Sequence, residues 1–377
     1  MRIHLIYRQY FDIYGEALKI GGVETYIANL ADVLSSNGYE IFIYQFSLRN
    51  FKKKIGKTTV LGVGNESTQD IDKFFSLPTR VLVEKAESNA ENLKTDILIF
   101  MTDLDIISTR FNKTIAIQHG IFWDIPRYEK SAIKRKTILM RNSLRAWQKN
   151  NLYKKLNALV CVDYNFINWM RAELSADDIN YYVIPNFTKI PDYLDKNNDD
   201  FSVVFSRRFE TYRGTRIFAE AIQAFLAQHP TVKVTLAGNG PDENYLKKLF
   251  SNNNNITFTS YNAGESITFH QQFTVAVVPS IGSEGTSLSL LEAMAASCAV
   301  ISTDVGGLSN IVLDGFNGMV IRPKYKDLLE KLEFLYQNNE YRGLMAKNGY
   351  NTVKYAFSLV KWSDSWKDLI KRIQNED

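Results

Sequence analysis

Two Rossmann-like α/β domains facing across a cleft are what this sequence predicts, on three observations. The chain has 377 residues, more than one hydrophobic core usually serves. Short β-rich apolar runs alternate with amphipathic helical stretches, the pattern of a parallel sheet covered by helices. The alternation stops at YYVIPNFTKIPDYLDKNNDD (181–200), where two prolines lead into a polar run, and then starts again.

In order, RIHLIY (2–7) reads as the first strand. A loop leads to Gly21-Gly22, and a helix runs from about Val23 to Ser36 with Ile27, Leu30, Ala31 and Leu34 on one face. Gly38 stops it. EIFIYQF, DILIFM (96–101), TIAIQH (114–119) and ALVCVD (158–163) are further strands, and the basic stretch 131–156 reads as a helix. After the break come FSVVFS (201–206), a helix over 215–228, VKVTLAG (232–238), a helix near 242–251 and ITFTSY (256–261). TVAVVPS (274–280), a helix over 286–296, AVIST (299–303) and GMVIRP (318–323) follow, then helices to the end. The expected division is residues 1–187, residues 188–355, and a terminal helix over 356–377.

Bulk properties narrow the function. A net charge of +4 does not suggest nucleic acid. Cys161 and Cys298 stand far apart in apolar segments and read as buried free thiols, which fits a reducing cytoplasm. No apolar run reaches the roughly 18 residues of a membrane span, and MRIHLIYRQY is too polar for a signal peptide. The charge is uneven. Residues 131–156 hold eight Lys or Arg and no carboxylate.

The chemistry concentrates in SEGTSLSLLEAMA (283–295). Ser283-Glu284-Gly285 is a tight loop at a strand's carboxyl end. Thr286 and Ser287 are N-cap types for the helix that follows. The free N–H groups of that helix start, around Thr286–Leu288, suit a phosphate. Glu292 lies among Leu290, Leu291, Ala293 and Met294, where an unpaired carboxylate is costly. Two vicinal ribose hydroxyls would satisfy it; a solvated helix edge is the plain alternative. In SRRFETYRGT (206–215), Arg208 and Arg213 flank another strand-end loop and could clamp a diphosphate, or merely be solvated. Gly21-Gly22 allows close approach of a ligand, or only a turn. His119 closes a strand before Gly120.

Together these segments resemble the family-4 retaining glycosyltransferases of the GT-B fold. SEGTSLSLLEAMA carries that family's two glutamates separated by seven residues. AGNGP (237–241), TDVGGLSNIVLDGFNG (303–318), IPN (184–186) and GGVETYIANLADVL (21–34) also look like family segments. The resemblance implies a sugar-orienting role for Glu284, ribose binding by Glu292, and a diphosphate grip by Arg208 and Arg213. The second of these is a lysine in the family; arginine keeps the charge but replaces a point charge with a fork. It also implies that Gly22, Gly285, Thr286, Ser287 and Leu288 border the donor, that His119 lines the sugar site, and that the last helix crosses back to the first domain. The reaction implied is sugar transfer, with retention, from a nucleotide donor (a UDP-sugar by preference) to a glycan or lipid-linked hydroxyl. It would need no metal, no cofactor and no protein general base. Base recognition would fall near Thr259–Ala263. A nucleotide-sugar 2-epimerase and a catalytically silent sugar-nucleotide-binding protein are the rivals.

Two further features stand outside that site. Asp103-Leu104-Asp105 could hold a divalent ion, or only cap a turn. In KRKTILMRNSLRAWQKNNLYKKL (134–156), Met140, Leu144 and Trp147 fall at helical spacing, with Leu152 and Leu156 as a second short stripe. Lys134, Arg135, Lys136, Arg141, Arg145, Lys149, Lys154 and Lys155 surround them. The stretch is expected to dock on an anionic membrane at the cytoplasmic face, its alternative being a core helix with solvated cations.

Overall fold

The computed structural model describes residues 1–19, 21–64, 78–120, 131–194, 196, 201–262, 264–282 and 284–375. Ser283 and Ala263, both in predicted site segments, lie outside the described residues.

The first half folds as β1 (Arg2–Ile6), α1 (Gly22–Ser36), β2 (Glu40–Ser47), β3 (Phe51–Ile55), β4 (Thr58–Gly64) and α2 (Arg80–Asn89). It continues with β5 (Ile97–Phe100), β6 (Lys113–Gln118), α3 (Ala132–Tyr153), β7 (Ala158–Cys161), α4 (Tyr164–Leu174) and β8 (Tyr181–Val183). The strand order is β3-β4-β2-β1-β5-β6-β7-β8, parallel except for the β3–β4 hairpin. Apolar residues of every central strand point to both faces, so helices must cover both.

The second half runs β9 (Ser202–Ser206), α5 (Thr215–Gln228), β10 (Lys233–Ala237), α6 (Glu243–Leu249), β11 (Ile256–Thr259), α7 (Ser266–His270) and β12 (Val275–Val278). Then come α8 (Leu288–Ala295), β13 (Ala299–Thr303), β14 (Met319–Ile321), α9 (Tyr325–Gln337), α10 (Asn339–Ala356) and α11 (Leu359–Asn375). Its order, β11-β10-β9-β12-β13-β14, is the doubly wound Rossmann order. In each sheet the order of the parallel strands reverses at the middle, between β1 and β5 and between β9 and β12. Such folds take ligands at the carboxyl ends of those strands.

The last helix returns to the first sheet. Trp362, Trp366, Leu369, Ile370 and Ile373 of α11 share one core with Ile27, Leu30 and Leu34 of α1. Trp366 Nε1 donates to Tyr26 Oη at 2.9 Å, which gives both buried polar atoms a partner. The two chain crossings run side by side: Thr188 N donates to Phe357 O, and Leu359 N to Thr188 O.

The structure adds elements that the sequence pattern did not show. Phe51–Ile55 is an edge strand of three lysines with no alternation to read. Tyr181–Val183, inside the segment read as linker, extends the first sheet by pairing with β7. Among the described residues, no helix is long and apolar enough to cross a membrane.

Candidate active site

Arg207 is the first residue past β9, and Ser280 stands two past β12, so both sit where the second sheet reverses. Arg207 Nη1 donates to Ser280 Oγ at 2.6 Å. Its Nη2 donates to Glu284 Oε1 and Oε2 at 3.0 and 2.9 Å. Ser280 Oγ donates to Glu284 Oε2 at 2.6 Å. Arg213, from the turn Thr211–Arg213, also donates to Oε2. That turn lies close to β12 because the next residue is Gly214, with φ +84°; a side chain there would collide with Pro279. Burial alone would push the Glu284 carboxyl up. The charges of Arg207 and Arg213 and the Ser280 hydroxyl overcome it and hold the carboxyl at about 2. The result is a buried carboxylate with two guanidinium groups converging on it.

The loop after Glu284 leads into α8. Ser287 takes the N-cap position, but no side chain caps the helix, so its first N–H groups keep their ligand capacity. The Thr286 hydroxyl turns away and donates to Val162 O of the first domain. Asn186 Nδ2 donates to Thr286 O at 2.7 Å. On α8, Glu292 is half-buried and accepts from Ser266 Oγ at 2.6 Å. Burial raises its carboxyl, and that one hydrogen bond opposes the rise only partly. Beside it Ser206 Oγ and Tyr261 Oη are 2.5 Å apart, and the Tyr261 ring stacks on Phe269 with centroids 4.6 Å apart.

The first domain closes the cleft. A Cβ on Gly22 would stand 3.4 Å from Leu288 Cδ1, so the start of α1 faces the start of α8. A Cβ on Gly285 would stand 2.6 Å from His119 O, so this position has room only for glycine. His119 Nε2 lies 2.9 Å from Met101 O and donates to it, which leaves Nδ1 as the acceptor. Burial holds the ring neutral, with its pKa lowered to about 4 against the pull of the Met101 carbonyl. The described residues contain no group of three or more His, Cys, Asp or Glu arranged to hold a metal ion. The acidic pair is already occupied: Asp103 by Lys149 and Tyr153, and Asp105 by Arg8, Thr79 and Thr102.

Residues 186–352 match the family model described as glycosyl transferases, group 1. That match lies in the second domain, and it supports a group 1 glycosyltransferase. An uncharacterized glycosyltransferase of Methanocaldococcus jannaschii is 22% identical, over 94% of this chain and 96% of that one. The α-monoglucosyldiacylglycerol synthase of Acholeplasma laidlawii is 22% identical over 89% of each. Among solved structures, a sucrose-phosphate synthase from Thermosynechococcus elongatus superposes with a TM-score of 0.77 at 17% identity, covering 99% of this chain and 98% of the other. These neighbours share the GT-B fold.

Within the glycosyltransferase cleft the expected residues are not all together. Glu284, Arg213, Gly285 and His119 meet, and Gly22 faces Leu288. Arg208 does not join them. Its side chain is 67% exposed and pairs with Glu210 at 2.6 Å, whereas that of Arg207 is 4% exposed and holds Glu284. Both residues follow the end of β9, and the arginine that engages Glu284 is Arg207. Thr286 and Ser287 make no side-chain cap. Ser266 and Ser280 were missed because isolated hydroxyls carry no sequence signal, the PS of TVAVVPS being the nearest hint; Tyr261 falls in the segment expected near the base, but its side chain was not singled out.

The basic helix also divides. Asn142, Ala146 and Tyr153 form its buried face. Leu156 is buried, and half-buried Leu152 packs on the same core, so the second apolar stripe is not free. Lys149 donates to Asp103 O at 2.6 Å, and Lys154 pairs with Asp178. Ile133, Met140, Leu144 and Trp147 remain exposed.

Proposed function

We propose that this glycosyltransferase moves a sugar, with retention, from a nucleoside-diphosphate donor to a hydroxyl of a lipid-linked or polysaccharide acceptor, without a metal ion. A UDP-sugar is the first donor to test. The observation that carries the reading is the convergence of Arg207 and Arg213 on Glu284 at the strand reversal of the second sheet. A departing diphosphate needs fixed positive charge where its own charge develops. Two guanidinium groups and the uncapped start of α8 supply it. Donor binding would draw the guanidinium groups partly onto the phosphates. Glu284 holds them in register and keeps Oε1 for a sugar hydroxyl. Glu292 accepts from the ribose, and His119 Nδ1 accepts from a sugar hydroxyl. No side chain is assigned as a general base; the leaving oxygen takes the acceptor's proton, as the family-4 resemblance implies. Metal independence is supported by the engagement of Asp103 and Asp105 with protein groups.

The lipid side of the reading rests on α3, whose exposed apolar stripe lies among cations, and on the full-length relative named for a diacylglycerol product. The transferase would work at the cytoplasmic face of an anionic membrane.

A thermal-shift screen against UDP-, GDP- and dTDP-sugars, followed by proton NMR of the transferred anomeric centre, tests this. Stabilisation by one donor and a product of the donor's own anomeric configuration are expected. Inversion, or strict dependence on added metal, would sink the corresponding part.

A further inference from the structure

Most carboxylates buried around the cleft are matched to cations: Glu284 to Arg207 and Arg213, Asp103 to Lys149, Asp105 to Arg8. Asp163 is committed differently, accepting from Asn165 N at the start of α4. Two half-buried carboxylates have, among the described residues, a hydroxyl donor and no ion pair. Glu292 has Ser266. The other is Glu24, whose Oε1 accepts from Tyr7 Oη at 2.7 Å.

Glu24 sits in the first turn of α1, two residues past Gly22, which faces Leu288 across the cleft. Tyr7 is the first residue past β1, beside Met101, whose N–H donates to Ile6 O and whose carbonyl holds His119. Tyr26 of α1 meets the His119 ring edge-on at 5.1 Å. Glu24 therefore lies at the strand reversal of the first sheet, opposite the donor half. A carboxylate fixed by one hydroxyl and no cation keeps lone pairs for further hydroxyl donors, and it repels anions.

We infer that Glu24, positioned by Tyr7, binds a hydroxyl of the acceptor next to the one that reacts. The acceptor at that point is then a sugar ring or other polyol, not a phosphate- or carboxylate-bearing group. This rests on the transferase reading only in placing the donor across the cleft. The competing explanation is a first-turn acid that merely complements the helix dipole, which would affect stability alone.

The test is saturation-transfer NMR and titration of the full chain with methyl glucosides, methyl mannoside and glucose 6-phosphate, with and without UDP. Wild-type protein should take at least one neutral polyol more tightly than glucose 6-phosphate. Glu24→Gln should weaken that polyol roughly tenfold or more, the cost of a charged hydrogen bond, while the UDP dissociation constant stays within about twofold. Tyr7→Phe should move the same constant in the same direction by less. Wild type that binds no neutral polyol, or that prefers the phosphate, overturns the proposal. So does a Glu24→Gln variant that loses melting temperature but keeps its polyol affinity. Failure of wild type to bind any nucleotide counts against the transferase reading and is scored separately from the polyol arm.

Discussion

Arg207 and Glu284 form a buried bidentate ion pair, with both carboxylate oxygens within 3.0 Å of Nη2. Because Arg213 shares Oε2, one negative charge holds two positive ones. Glu284→Gln should therefore do more than misorient a sugar. Leaving buried guanidinium groups without a counter-charge costs about 3 kcal/mol, and UDP should restore more melting temperature to the variant than it adds to wild type. The pH dependence follows in sign. The carboxyl titrates at about 2 instead of 4.5, so its contribution is present above pH 4.5 and is lost as pH falls toward 2. Acid unfolding of the variant should lack that window. Equal UDP shifts in both proteins would remove the counter-ion role.

Arg207→Ala and Arg213→Ala should each lower turnover by roughly two orders of magnitude, as removal of other transition-state donors does. Arg208→Ala should stay near wild type, since its guanidinium is at the surface with Glu210. Steady-state rates of the three variants decide between neighbours that the sequence could not separate.

That ambiguity marks what was legible. The sheet of the second domain could be read strand by strand, because buried parallel strands are continuous apolar runs. Glu292 was legible as a carboxylate drawn out of solvent because its company is apolar. Arg207 was not, because a strand end carries no periodicity to say which of two arginines turns inward. The β3–β4 hairpin was hidden for a related reason: FKKKI is an edge with almost no buried side chain. The use of the Thr286 hydroxyl was not legible, because a threonine before a helix can cap it or turn away, and only the opposing Val162 carbonyl selects one.

Glu292→Gln should weaken donor binding by about 1.5–3 kcal/mol, the worth of hydrogen bonds to a charged group. Burial raises this carboxyl above its usual range. Donor affinity should therefore fall on acidification before ordinary glutamates protonate, since the ionised form is the ribose acceptor. Calorimetric titration across pH should show that dependence in wild type and not in the variant. His119 is already neutral above about pH 4, so no limb near pH 6.5 should come from it.

Activity should survive EDTA. Asp103→Ala should leave that independence intact but lower stability by about 3 kcal/mol, because Lys149 and Tyr153 lose their shared partner. Chemical denaturation and a chelator series measure the two effects apart. Restoration of a lost activity by Mn²⁺ or Mg²⁺ would revive a metal role for the acidic pair.

The exposed face of α3 should bind anionic membranes. Ile133, Met140, Leu144 and Trp147 are between 54% and 79% exposed, although the opposite face of the same helix is buried. An apolar stripe left outside while its helix has a core to face is the pattern of an interfacial helix. Lys134, Arg135, Lys136, Arg141 and Arg145 flank it with no ion pair among the described residues, and each cation near an anionic bilayer contributes about 1 kcal/mol. Lys149 is excluded from that count by its bond to Asp103, and Lys154 by Asp178. In liposome flotation, recovery should need anionic lipid and fall with salt, since surface charges are screened. Changing Lys134, Arg135 and Lys136 to Ser should reduce it through charge. Trp147→Ser should reduce it through lost apolar insertion, and Trp147 fluorescence should shift blue on binding. Both variants should keep their melting temperatures, because none of these side chains is buried. Equal recovery on neutral and anionic vesicles, or an unshifted Trp147 signal, would leave α3 as a solvated helix.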